Sequence, residues 1–178
     1  MKLESYGRFD RQAIEALYTH TFSNSEGQSE GARIGALVHE ILERVPSESL
    51  LGFVATEHEE ILGCILFTRL SFDSPANAFM LSPVAVSPDY QGTGVGQELI
   101  NQGIRHLEEL GVELVLTYGD PNYYSKVGFQ QISQQVVRAP FELSHPEGWL
   151  AQPLNGGRLD LPLGNVRCVE PFNDARYW

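Results

Sequence analysis

The spacing of apolar and polar positions changes twice along this chain. Residues 2–6 suit a short strand, and Asp10 is placed to cap a helix carrying Ile14, Leu17, Tyr18 and Phe22 on one face. The polar, glycine-containing stretch Ser23 to Gly31 predicts a loop. Helical spacing returns with Ile34, Leu37, Val38, Ile41 and Leu42, and Pro46 stands just past the end. Beyond it the pattern becomes strand-like. Leu50–Thr56 and Ile61–Leu70 are apolar runs joined by Glu57-His58-Glu59-Glu60, which predicts a hairpin. After a turn from Phe72 to Asn77, a third run, Ala78 to Val86, stops at Ser87-Pro88.

The second change of period follows a glycine-rich turn. From Val95 to Leu110, Ile100, Ile104, Leu107 and Leu110 mark one helical face, and Gly96 and Gly103 on that face imply close packing on a sheet. Gly111 reads as the C-terminal cap. Val112–Thr117 is a buried-type strand, so strand, helix and strand imply a parallel, right-handed crossover. Asp120-Pro121 signals a short helix over Asn122 to Val127, closed by Gly128-Phe129. Gln130–Ala139 predicts a further strand. Phe141–Trp178 is rich in Pro and Gly, with short strands expected at Leu159–Leu163 and Val166–Val169. The whole reads as α/β (α+β), without repeats or a second domain.

Composition narrows the function only slightly. A chain of 178 residues with 42% hydrophobic and 20% charged residues is a single globular domain by these measures. The formal charge of −11 argues against a nucleic-acid surface, and it would suit a cationic partner such as a polyamine or a lysine. Cys64 and Cys168 are isolated and read as thiols, and no metal-ligand spacing occurs. The N-terminus lacks an apolar signal-type segment and no stretch has the apolar length of a membrane span, so a cytoplasmic protein without membrane or metal is expected.

The chemistry is carried by Leu81–Gly96, LSPVAVSPDYQGTGVG. Three glycines at alternate positions (Gly92, Gly94, Gly96) open a helix, where orphan N–H groups and the helix dipole favour an anion. A dinucleotide fingerprint would need glycine where Gln97 stands, and no lysine supplies a Walker loop. What remains is Gln91-x-x-Gly94-x-Gly96 after Val84-Ala85-Val86, together with Tyr123-Tyr124-Ser125-Lys126-Val127-Gly128-Phe129 after the later strand.

These two motifs, in this order of elements, resemble the GNAT superfamily of N-acetyltransferases over about residues 1–135. A Gly-Asp-Pro-x-Tyr-Tyr segment is similar to one bacterial branch of it. The resemblance implies a mixed, twisted sheet of six to seven strands, about four helices, and a parallel strand pair splayed to admit pantetheine. It implies acetyl-CoA as cosubstrate, held by Val84, Ala85, Val86, Gln91, Gly92, Thr93, Gly94, Val95 and Gly96. The Val86 N–H would polarise the thioester carbonyl. Tyr124 would protonate the leaving thiolate, or else cap the core. The acceptor would be a primary amine on a small molecule or a protein, attacking directly in a ternary complex, and a homodimer is compatible with the family. Non-catalytic acyl-CoA binding is the alternative.

Two departures qualify the resemblance. Many relatives carry a carboxylate base on the strand before the loop, yet Ala76–Ser87 contains no Asp, Glu or His. Glu26 and Glu30, in the predicted loop over the acceptor pocket, and Asp120 are the remaining candidates, acting through water or serving only as loop charges and a helix cap. Where relatives place an asparagine seven residues before the tyrosine, this chain has Thr117; either Thr117 or Asn122 would hold pantetheine.

Overall fold

A computed structural model describes residues 1–159 and 162–178. In chain order the elements are β1 (Lys2–Ser5), α1 (Arg11–Glu26), α2 (Gln28–Arg44), β2 (Leu50–Glu57), β3 (Glu60–Leu70), β4 (Ala78–Val86), α3 (Val95–Glu109), β5 (Leu114–Tyr118), α4 (Pro121–Tyr124), β6 (Gln130–Gln131), β7 (Val137–Arg138), β8 (Trp149–Pro153) and β9 (Gly164–Asn165). The main sheet has seven strands in the order β1-β2-β3-β4-β5-β8-β6, and β7 pairs with β9 in parallel. The expected mixed sheet with four helices is therefore present.

The chain forms two compact units, and β3, β4 and α3 contribute to both. Met1–Phe67 with Pro83–Gly103 makes the first, its core built on Ile14, Tyr18, Val38, Ile41, Val54, Ile65 and Leu99. Asp10 caps α1 as predicted, accepting the Gln12 N–H. The β2–β3 hairpin turns on His58 and Glu59, whose φ of 49° and 68° put both in the left-handed region that a two-residue hairpin turn requires. Gly103, buried on α3, has no room for a Cβ, which would lie 2.6 Å from Phe67 Cζ, so the expected close packing of α3 holds there. Leu110, expected on the same face, is instead exposed.

The predicted loop Ser23–Gly31 is wrong. α1 runs to Glu26 and α2 begins at Gln28, so the interruption is Gly27 alone, at φ 98°. Gly31, read as part of that loop, instead lets α2 lie against α1, and Gly35 does the same one turn on. A Cβ at Gly31 would sit 2.5 Å from Thr19 O and 2.7 Å from Ser23 N, both backbone atoms, and one at Gly35 would overlap Thr19 Oγ1. Gly31→Ala should therefore destabilise the protein by about 1–3 kcal/mol despite alanine's better helix propensity. A urea midpoint equal to or above the native one would show that the close approach at Gly31 does not limit stability.

The second unit comprises Thr68–Ser82 and Ile104–Trp178. Here β4 and β5 run parallel, with Ala78, Phe79 and Met80 opposite Leu114, Val115 and Leu116, and the ladder ends there. The other edge of β5 pairs antiparallel with β8 from Leu114↔Pro153 to Tyr118↔Trp149. Sequence reading missed β8, because five residues ending in proline show no alternation: Trp149, Leu150 and Ala151 are all buried. The expected strand Gln130–Ala139 is two residue pairs, β6 and β7, separated by a turn in which the Ser133 carbonyl accepts the Val136 and Val137 N–H groups. The expected strand Val166–Val169 reduces to an isolated bridge between Arg167 and Ser71. The expected strand Leu159–Leu163 falls partly outside the described residues. Indole donors pin this C-terminal segment: Trp149 Nε1 bonds Val137 O and Trp178 Nε1 bonds Phe172 O, each at 3.0 Å.

Candidate active site

In the first unit, the end of β4 leads directly into the glycine turn. Pro83 and Ala85 face inward while Val84 and Val86 stay partly accessible, as a period of two requires. Proline at position 83 brings no N–H to the ladder. The buried Tyr18 hydroxyl fills that gap, lying 2.9 Å from Cys64 O and 3.0 Å from Pro83 O and sharing one proton between them. Ser87 N–H bonds Leu62 O at 2.8 Å. The Val86 carbonyl accepts from Gln91 Nε2 at 3.1 Å and from Thr21 Oγ1 at 3.3 Å. Gln91, expected among the cofactor contacts, thus ties the turn back to the strand end. Thr21 and the hydroxyl role of Tyr18 went unread in the sequence, where both are merely residues of an apolar helix face.

The turn is shaped for backbone recognition. Gly92 and Gly94 adopt φ of 75° and 94°, and a Cβ at either would meet nothing within 4 Å, so the main chain stands bare there. Thr93 Oγ1 bonds Tyr90 O at 2.5 Å, holding the turn against the preceding 3-10 segment Pro88–Tyr90. The Gly94 carbonyl accepts the Glu98 N–H at 3.0 Å and so starts α3, while Val95 and Gly96 are buried beneath. The N–H groups of that first turn have no acceptor within the helix. These residues fit a pyrophosphate: open space over a glycine backbone at the positive end of a fifteen-residue helix.

In the second unit, Asp120 caps α4 by accepting the Asn122 N–H at 2.9 Å, with Pro121 at the first helical position. Gly128, at φ 94°, closes the following 3-10 turn. Tyr124 is thereby fixed on a short, doubly capped segment. Its ring meets Tyr123 edge-on at 5.1 Å and Phe129 at 5.6 Å. Gly119 leaves the ring its space, since a Cβ there would lie 2.6 Å from Tyr124 Cε2. Burial pushes the pKa of the Tyr124 phenol up to about 12, and the nearby Thr117 hydroxyl offsets part of that rise. Thr117 is wholly buried, and its Oγ1 donates to Leu81 O at 2.8 Å. Of the two candidates for holding pantetheine, Thr117 is therefore already engaged, and the exposed Asn122 is the other.

Glu26 ends α1 and is exposed; Glu30 stands in the first turn of α2 and pairs with Arg33 at 2.6 Å; Asp120 is a helix cap. Cys64 and Cys168 are free, and burial pushes each thiol up to about 12, which keeps both protonated at neutral pH.

A mixed seven-stranded sheet with a short parallel pair, a glycine turn opening the helix between the paired strands, and a tyrosine just past the second of them define an acyl-CoA-handling acetyltransferase fold. The comparisons agree. The Acetyltransferase (GNAT) family model matches residues 11–129, and the chain belongs to that family as an N-acetyltransferase. It is 36% identical over 142 residues to the uncharacterized N-acetyltransferase YjhQ of Escherichia coli (strain K12), covering 76% of this chain and 77% of that one. The crystal structure of the Escherichia coli GNAT family N-acetyltransferase YhbS in complex with CoA matches with a TM-score of 0.83 and 27% identity, over 97% of this chain and 92% of the other. A GNAT family acetyltransferase from Brucella melitensis, in complex with acetyl-CoA, shares the fold at a TM-score of 0.75 and 23% identity, covering 96% and 97%. Among the described residues, no helix is long and apolar enough to cross a membrane.

Proposed function

We propose that the chain moves the acetyl group of acetyl-CoA to a primary amine, on a small molecule or a protein, by direct attack of the amine on the thioester. The glycine turn carries this reading: bare backbone at Gly92 and Gly94, held by Gln91 and Thr93, at the start of α3. In this proposal the turn binds the pyrophosphate and the backbone of Val84 and Val86 meets the pantetheine arm. The Val86 N–H polarises the carbonyl, and Tyr124 protonates the thiolate. The last two groups answer the two charges that acyl transfer develops, an oxyanion and a sulfur anion. The YhbS crystal structure, solved with CoA, supports the choice of acetyl donor.

Proton removal from the amine is the distinctive step. With no acid or histidine on β4, and with Glu30 and Asp120 engaged in structural bonds, the amine either arrives neutral or loses its proton through water. Single replacements Glu26→Gln, Glu30→Gln and Asp120→Asn should each lower turnover less than about tenfold, below the usual contribution of a dedicated base. The native rate should climb with pH towards the acceptor's own pKa. Tyr124 imposes no fall below about 12, since a raised pKa keeps the phenol in its acid form across the climb. Thiol release measured across an amine panel and a pH series checks both statements. One replacement that abolished turnover while sparing acetyl-CoA binding would establish a dedicated base. Tight acetyl-CoA binding without thiol release for any amine would make the chain a binding module instead.

A further inference from the structure

Ile14, Tyr18 and Thr21 form the buried stripe of α1, and the last two carry hydroxyls one helical turn apart. Both hydroxyls end on carbonyls of the β4 end. Tyr18 reaches Pro83 O at 3.0 Å beside Cys64 O at 2.9 Å, and Thr21 reaches Val86 O at 3.3 Å. Peptide geometry then says which way the neighbouring N–H groups point. Pro83 O is turned to β3, where Cys64 lies, so across that trans peptide the Val84 N–H is turned away from β3. Ala85 O is on the β3 side too, 2.9 Å from where a Cβ of Gly63 would stand. The Ser87 N–H bonds Leu62 O of β3, so Val86 O, and with it the N–H of the same extended residue, is turned away. That side of β4 is the edge whose ladder with β5 ends at Met80↔Leu116. Gln91 Nε2 meets the second lone pair of Val86 O at 3.1 Å, and the carbonyl is fully engaged.

We propose that Tyr18 and Thr21 are positioning residues for the acyl donor: the two α1 hydroxyls set the Pro83 and Val86 carbonyls, and thereby aim the Val84 N–H at the pantetheine arm and the Val86 N–H at the thioester carbonyl. This rests on the β4 end meeting acetyl-CoA as proposed above. Pro83 gives the device its purpose. It supplies no N–H to β3, and the Tyr18 phenol is a donor that stands at both the Pro83 and the Cys64 carbonyl. Acyl transfer needs its oxyanion donor aimed before charge develops, because a donor that must first turn loses part of what it gives. The two hydroxyls divide the work. Tyr18 acts on the peptide that bears the Val84 N–H, and so on cofactor affinity. Thr21 acts on the residue that bears the Val86 N–H, and so on rate.

Three quantities test this: CoA affinity by titration calorimetry, kcat at saturating acetyl-CoA, and the infrared carbonyl stretch of bound acetyl-CoA labelled with carbon-13 at that carbonyl. Native protein should move the stretch to lower wavenumber on binding. Thr21→Val keeps the shape of threonine without its hydroxyl; it should lower kcat about three- to tenfold and reverse part of the shift, with CoA affinity retained. Thr21→Ser keeps the donor and should recover most of both. Tyr18→Phe should weaken CoA binding about three- to tenfold. If it does not fold, 4-aminophenylalanine at position 18, a weaker donor of similar shape, carries the same expectation at smaller size. Ile14→Val thins the same buried stripe without touching a hydrogen bond, so it should lower thermal stability and leave kcat and affinity within about twofold of native. Native kcat and an unchanged stretch in Thr21→Val, where native protein does shift the stretch, would overturn the role of Thr21 alone. Native CoA affinity at position 18 without the phenol would overturn that of Tyr18. Losses of equal size in Thr21→Ser or Ile14→Val would reduce both residues to packing. No shift of the stretch in native protein would remove Val86 as the oxyanion donor, and this proposal with it.

Discussion

Gly94→Val should weaken CoA binding by at least about a hundredfold while leaving a folded protein. Two effects add. At φ 94° a β-branched residue is strained, so the turn must relax and carry its N–H groups with it. The new side chain also projects into space that no protein atom occupies within 4 Å, the space the pyrophosphate needs if the turn is its cradle. Because strain alone could weaken binding indirectly, Gly111→Val is the matched control. Gly111 has φ 71° and equally open surroundings, but it caps the opposite end of α3. The two variants should lose comparable thermal stability, and only Gly94→Val should lose CoA affinity in titration calorimetry. Equal affinities in both would show that the glycines serve the turn and not the ligand.

Most of this site is legible in the sequence because its residues are informative locally. Asp120-Pro121 can start a helix and do little else, Gly128 stands where φ must be positive, and alternate glycines before a helical period leave few readings. What escapes is whatever depends on a distant partner. Gly31 and Gly35 carry the same local signal as a loop glycine, and only Thr19 and Ser23 across the helix pair reveal their purpose. β8 is a strand because β5 offers it an edge, and its own five residues hold no period. The mid-strand Pro83 brings no N–H, and nothing in the local sequence points to the Tyr18 hydroxyl that lies beside the Cys64 and Pro83 carbonyls. Thr117 reads in the sequence only as a missing asparagine, and its bond to Leu81 does not follow from spacing.

Tyr124→Phe is expected to lower kcat by roughly 10²–10⁴, the range for loss of one acid–base group, with acetyl-CoA affinity nearly unchanged. The substitution is well isolated. The ring contacts with Tyr123 and Phe129 remain, Gly119 still leaves the ring its space, and Thr117 keeps its bond to Leu81, so only the phenolic hydroxyl is lost. Stability should fall by no more than about 1 kcal/mol, the net weight of a single neutral hydrogen bond. The pH profile separates the acid from the amine. Since burial holds the phenol near 12, its ionisation lies outside the working range, and the rising limb belongs to the acceptor in both proteins. Native and variant profiles should therefore run parallel, displaced vertically by the lost proton donor. A variant with near-native kcat at all pH values would mean that the thiolate departs unprotonated and that Tyr124 belongs to the core. A variant whose loss appears only in the affinity for acetyl-CoA would make the hydroxyl a binding contact.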